Sequence, residues 1–256
     1  MTGPRGRARR PAGDGGAAFF ARHLVVHTHI EKTAGSTVTY ALTRMFGAEH
    51  CLDLRMPGSP RPDTLPIERR SALRLLAGHF QAGTHEPLFD RPPVRIATLR
   101  DPLDRLLSYL GFLARSPGHP EYHRLGTLAP DEAVAAMLAE GHRMVANGQC
   151  RVLCGTDRFE DARRAAEADY LAVLPHAEAL ALAGLFAEAL RLPRPNPKIR
   201  RNAAPEGPRP RLGDAAAAAV RAATAEDARL VAWAEADAAQ RIARARERLA
   251  GMAAPP

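Results

Sequence analysis

The segment VRIATL, residues 94–99, constrains this chain more than any other. It is apolar nearly throughout and runs straight into Arg-Asp-Pro. A strand with one wet face alternates apolar and polar residues. A strand that is apolar on both sides must be covered on both faces, which is the mark of a parallel sheet between layers of helices. Asp101 and Pro102 then supply a cap residue and a proline at the first helical position. Leu103, Leu106, Leu107 and Leu110 follow at helical spacing as a buried stripe. An earlier segment repeats the arrangement. HLVVHTHI (23–30) is rich in β-branched residues and reads as a strand. Glu31 to Gly35 form a turn. Val38, Ala41, Leu42, Met45 and Phe46 mark one face of a helix that Ser36 or Thr37 caps and Gly47 ends. Strand, turn and helix, repeated in that order, imply an α/β fold of three layers: a central parallel sheet flanked by helices.

The remainder fits around this frame. Residues 57–66 read as a loop, followed by helix to about Leu76 and a short extended AGHF (77–80). A polar loop spans 116–124, helices 130–140 and 159–168, a short strand 169–174 and a helix 176–191. PRPNPKIRRNAAPEGPRPR (193–211) is too rich in proline for regular structure. Ala-rich helix runs from there to about 249. Residues 1–20 read as a disordered basic tail, leaving one domain over 21–256. The length of 256 residues and 46% apolar content allow a substantial core.

No apolar stretch approaches the roughly 18 residues that a membrane-crossing helix needs. The basic N-terminus has no apolar run after it, so it is not expected to be a secretory signal. Cys51, Cys150 and Cys154 give no disulfide framework and fit a reducing compartment, so a cytoplasmic location is expected. No second Cys/His pair stands at zinc-binding spacing, and no metal is expected. The formal charge is +8, carried by 34 arginines and only two lysines, Lys32 and Lys198, among 36 basic residues. Such an excess reads either as a solvated arginine surface or as attraction to an anionic ligand. No aromatic platform or recognition-helix pattern accompanies it, so nucleic acid is not an expected partner.

Two stretches carry candidate chemistry. HTHIEKTAGSTVTYAL (27–42) enters a helix through a turn of small residues, where backbone N–H groups and the positive helix end converge. Thr33, Ser36 and Thr37 add hydroxyls, Gly35 permits close approach and Lys32 adds a charge. The usual Gly-Lys-Ser/Thr order of nucleotide-binding loops is absent. An ordinary strand–turn–helix is the plain alternative. In TLRDPLDRLLSYLGF (98–112), Arg100 lies at the carboxyl end of a strand, where open parallel sheets bind ligands. Ser108 lies about two turns into the next helix. Arg100 and Ser108 could grip a phosphate; alternatively, Arg100 pairs with Asp101 or Asp104.

Together the two stretches resemble the cofactor-binding motifs of sulfotransferases that use 3'-phosphoadenosine 5'-phosphosulfate (PAPS). The carbohydrate type, related to heparan sulfate 2-O-sulfotransferase and its bacterial relatives, is the most similar branch. The resemblance covers roughly residues 23–249. It implies a P-loop-like sulfotransferase fold and a saccharide hydroxyl as acceptor. It implies that Lys32, Thr33, Ala34, Gly35, Ser36 and Thr37 hold the 5'-phosphosulfate, and Arg100 and Ser108 the 3'-phosphate. AGHF matches the branch's Gly-His pair and so makes His79 the catalytic base, with Lys32 as its catalytic partner. An imidazole titrates near neutrality and suits the task, and His85 is the competitor. NGQCRVLCG (147–155) and NAAPEGPRP (202–210) are further matches. Lys198 and Arg209 are candidates to close over the cofactor. Glu31 departs from the family, which has proline there, and a carboxylate beside a dianion repels it unless it turns away. His23, His27 and His29 fall on one side of the first strand and read as structural. A nucleotide-dependent kinase or NTPase of the P-loop type is the alternative function.

Overall fold

The computed structural model describes residues 14–56, 58–199 and 209–254. Five strands form its centre: β1 (Leu24–Thr28), β2 (Cys51–Asp53), β3 (Leu75–Gly78), β4 (Pro93–Leu99) and β5 (Tyr170–Pro175). All are parallel, in the order β2-β3-β1-β4-β5. The helices are α1 (Asp14–Arg22), α2 (Gly35–Phe46), α3 (Ile67–Ala72), α4 (Pro102–Leu113), α5 (Pro130–Ala139), α6 (Gly148–Cys154), α7 (Phe159–Ala168), α8 (Ala179–Ala189), α9 (Asp214–Ala223), α10 (Ala225–Ala236) and α11 (Ala238–Ala253). Every residue of β1 is buried. Along β4, Val94 and Ile96 face a core made with Val38, Leu42 and Phe46 of α2, Phe186 of α8 and Leu249 of α11. Ala97 and Leu99 face the opposite core, with Leu153 of α6, Ala162 of α7 and Leu230 of α10. The doubly apolar character of 94–99 thus has its cause in a sheet covered on both sides.

From β1 the chain crosses towards β2 on one side of the sheet, and from β4 it crosses towards β5 on the other. Neighbouring strands whose connections diverge leave a crevice at their carboxyl ends. A separate helical core of Leu106, Tyr109, Leu110 and Leu113 of α4 with Val134, Met137 and Val220 stands beside it. The buried stripe of α4 is therefore Leu106, Tyr109, Leu110 and Leu113, with Leu103 and Leu107 only half-buried.

Several boundaries differ from the sequence expectation. Residues 14–20 are not tail but belong to α1, whose Phe19 and Phe20 pack into the main core against Phe46 and Phe186. Residues 1–13 lie outside the described residues. The helix expected up to Leu76 ends at Ala72. Leu75 and Leu76 pair with β1 and β2 instead, because partners on both sides override local helix preference. The C-terminal helix is three helices, broken at Thr224 and Asp237. Neither Ser36 nor Thr37 is the cap of α2; Ala34 occupies that position. Among the described residues no helix is long and apolar enough to cross a membrane.

Candidate functional site

The carboxyl ends of β1, β3 and β4 bring the segments 29–35, His79 and Arg100 to one edge of the sheet. The turn after β1 is held in an uncommon shape. Lys32 (φ 65°) and Ala34 (φ 69°) are both left-handed, a conformation that costs a residue with a Cβ on the order of 1 kcal/mol or more. Its carbonyls are tied from below. Thr33 Oγ1 donates to Ile30 O (2.8 Å), Arg105 Nε to Glu31 O (3.0 Å) and Arg100 Nη1 to Lys32 O (3.4 Å). The backbone N–H groups of Lys32, Thr33, Ala34 and Gly35 lie in this turn and at the start of α2. Consecutive N–H groups around left-handed residues at a helix start form a concave anion-binding nest. The Thr33 side chain is not one of its donors. Fully buried, its hydroxyl is occupied by Ile30 O and lies 3.0 Å from Thr98 Oγ1.

Cations ring this nest. Lys32 Nζ lies 4.3 Å from the centroid of the Phe112 ring. Burial, then the charges of Arg100 and Arg115, bring its pKa down to about 8 against the opposing pull of Glu31, so it still carries charge at neutral pH. Arg100 has a buried Nε with no hydrogen-bond partner, and its Nη2 stands 3.9 Å from Asp104 Oδ2. Asp101 instead caps α4 by accepting from Asp104 N (2.9 Å). The backbone of Arg100 is clamped by Gln149, which accepts from its N–H (3.0 Å) and donates to its carbonyl (2.8 Å). This clamp gives the NGQCRVLCG stretch a structural role. Ser108 is half-buried, and its hydroxyl bonds no other described residue. It shares a face of α4 with Asp104 and Phe112 by helical spacing.

His79 follows β3 directly; one edge of its ring reaches solvent while the rest lies against buried His29. Its Nδ1 is 2.7 Å from the carbonyl oxygen of His29. A carbonyl only accepts, so in the neutral ring the proton resides on Nδ1 and Nε2 keeps its lone pair. Burial lowers the pKa of His79, against the raising effects of Glu31 and of that carbonyl, so the ring is neutral at pH 7. His85 packs its ring on Phe80, and its charged neighbours are Glu86, Asp63 and Arg61 rather than the loop. Beneath the loop, the buried ring of His29 stacks on His27 (5.3 Å between centroids, 6° between planes) and leans on His79 (4.6 Å). Gly35 sits directly on it. A Cβ at residue 35 would stand 2.0 Å from His29 Cδ2. That contact, and not a special φ, requires the glycine.

Sequence reading missed five arginine and carboxylate partners. Arg55, just beyond β2, donates to both oxygens of Asp53 (2.8 and 2.5 Å) and to Ser36 Oγ (2.8 Å). Arg105, almost wholly buried, stands 3.9 Å from the buried carboxylate of Asp227. Asp227 in turn accepts from the N–H groups of Gln149 (3.0 Å) and Cys150 (2.9 Å). Arg143 holds Glu31, the acid before Lys32, in a two-point bridge (2.8 and 3.2 Å). Burial pushes the Glu31 pKa up, but the Arg143 bond and charge outweigh it and hold the group ionised.

The lid candidates separate. Arg209 is exposed, and its charge reaches Arg100, while the adjacent Pro210 packs on Gly111 of α4. Lys198 is also exposed, its N–H bonded to Asn196 Oδ1, and no contact joins it to the site among the described residues. Residues 200–208 of that loop lie outside the described residues. Neither a scan against protein-family models nor a comparison with curated proteins returns a match for this chain. No group of three or more His, Cys, Asp or Glu residues suited to a metal ion occurs among the described residues. What the edge offers is a nest of N–H donors, a ring of cations and one neutral imidazole with an open nitrogen.

Proposed function

We propose that this chain is a PAPS-dependent sulfotransferase of P-loop-like fold, transferring a sulfuryl group to an acceptor hydroxyl, with a saccharide as the acceptor. Its three free cysteines fit a reducing, cytoplasmic setting. The observation that carries the reading is the pairing of an anion nest with an imidazole whose Nδ1 proton is committed to His29 O, leaving Nε2 as a base on the same sheet edge. The two anionic ends of PAPS have fitting partners. The N–H groups of residues 32–35 and the Lys32 ammonium suit the 5'-phosphosulfate. The guanidinium of Arg100, with the Ser108 hydroxyl, suits the 3'-phosphate. When bound, PAPS supplies the sulfuryl group and a bisphosphate leaving group.

The chain's own residues divide the remaining work. His79 Nε2 takes the proton of the attacking hydroxyl, while its Nδ1–H stays on the His29 carbonyl and keeps the ring aimed. Lys32 presents positive charge where negative charge develops on departure, and desolvation strengthens that interaction. Arg55 holds the start of α2 through Ser36. The test is paired. The protein should bind adenosine 3',5'-bisphosphate in preference to ATP with Mg²⁺, and should move labelled sulfate from PAPS to members of a glycan panel. Tight binding of ATP·Mg²⁺ without binding of the bisphosphate would replace this reading with a nucleotide kinase or NTPase.

A further inference from the structure

The residue before Lys32 is an acid, and an acid there opposes the binding of a dianion. Two contacts decide what Glu31 does. Its backbone carbonyl is fixed by Arg105 Nε (3.0 Å), and Arg105 is itself anchored beside buried Asp227. The backbone therefore cannot swing away; only the side chain can. That side chain is held by the fork of Arg143, Nε to Oε2 at 2.8 Å and Nη2 to Oε1 at 3.2 Å. Arg143 is positioned by groups outside the nest. Its Nη1 lies 3.8 Å from Glu121 Oε1, its Nη2 donates to Tyr109 OH (3.4 Å), and its guanidinium stands over the Tyr109 ring. Glu121 is itself bound by His142 (3.0 Å) and Tyr109. Behind it, Gly148 packs so tightly on the Arg143 carbonyl that a Cβ there would approach to 2.0 Å.

We propose that Arg143 is a positioning residue that holds the Glu31 carboxylate off the anion nest, so that an acidic residue can precede Lys32 without excluding a phosphosulfate. Unpaired, Glu31 would turn either onto Lys32, quenching its charge, or towards the bound anion. Arg143 thus acts through Glu31 rather than by touching the ligand. This rests on the anion-binding part of the proposed function and adds a residue 112 positions away in the chain.

The experiment is a double-variant cycle on the full chain, comparing the parent, E31Q, R143M and E31Q/R143M. Binding is read by calorimetry with adenosine 3',5'-bisphosphate and, separately, with inorganic pyrophosphate. R143M should weaken both by on the order of tenfold or more, the effect of one uncompensated charge near a dianion. E31Q/R143M should return to within about threefold of the parent, because the charge that Arg143 restrains is gone. Parental affinity in R143M overturns the proposal. So does a double variant as weak as R143M, which would make Arg143 a direct ligand of the anion. Should R143M fail to fold, E31Q against E31Q/R143M decides: equal affinities support the proposal and a loss in the double variant refutes it. A parent that binds pyrophosphate but not the bisphosphate removes the sulfotransferase reading and leaves this one under test in the second arm. A parent that binds neither removes both.

Discussion

Replacing Gly35 with alanine tests how the loop and the support of His79 are built together. The new Cβ would stand 2.0 Å from His29 Cδ2, 2.3 Å from Nε2 and 2.7 Å from Cγ. Ordinary contact begins near 3.4 Å, so loop or ring must move by more than an ångström. The ring has nowhere to go: it is 3% exposed, with His27 stacked on one side and His79 against it. Overpacking of this kind costs about 1–3 kcal/mol. Alanine also restricts the unfolded chain, which returns about 0.4–1 kcal/mol. The steric effect wins, and a net loss of about 1–2 kcal/mol is expected. For a chain of this size that is a fall of roughly 2–4 °C in Tm per kcal/mol. Displacing His29 also moves the carbonyl that holds His79 Nδ1 at 2.7 Å, so transfer should fall along with bisphosphate affinity. Scanning calorimetry and titration with adenosine 3',5'-bisphosphate measure the two effects. A G35A variant that melts at or above the parent temperature and binds the bisphosphate equally well would refute the argument.

Other expectations follow from the same geometry. His79→Ala should lose about 10²–10⁴-fold in transfer rate and keep bisphosphate affinity. The base must be unprotonated, so the parental rate persists above its pKa and is lost as pH falls through it. Because burial sets that pKa below the ordinary 6.5, the acidic limb of the pH–rate profile should lie below 6.5, and a limb centred at or above it contradicts the assignment. Arg100→Ala should cost about 1.5–3 kcal/mol in binding of adenosine 3',5'-bisphosphate and almost nothing with adenosine 5'-phosphate; equal losses for both would mean that Arg100 does not read the 3' end. Asp227→Ala strands the buried Arg105 charge and two N–H groups of α6, and should destabilise the protein by about 3–5 kcal/mol in urea unfolding. A loss below about 1 kcal/mol would show that Arg105 finds another partner.

What the sequence determined by itself was the part of the protein governed by local stereochemistry. VRIATL and LVVHT announce buried strands through their side chains alone, and Val38, Leu42 and Phe46 announce one helix face, because pleat and helix repeat at fixed periods. The exit of each strand into a polar turn was enough to expect Lys32, Gly35 and Arg100 at one edge. Tertiary structure decided what each group does there. β2 has only three residues, too few to show a period, and Arg55 beyond it carried no signal. Residues 1–20 read as a disordered basic tail, yet Phe19 and Phe20 find a core to fill. Thr33 turned inward to Thr98, 65 residues on, and His79 received its tautomer from a carbonyl 50 residues earlier. Arg143 reached Glu31 across 112 residues in a chain holding 34 arginines, any of which could answer a carboxylate equally well. Periodic apolar patterns are read from neighbours along the chain. Ion pairs and hydrogen bonds of this kind are non-periodic and long-range, so their partners are chosen only when the sheet order and its crossovers bring distant segments within reach.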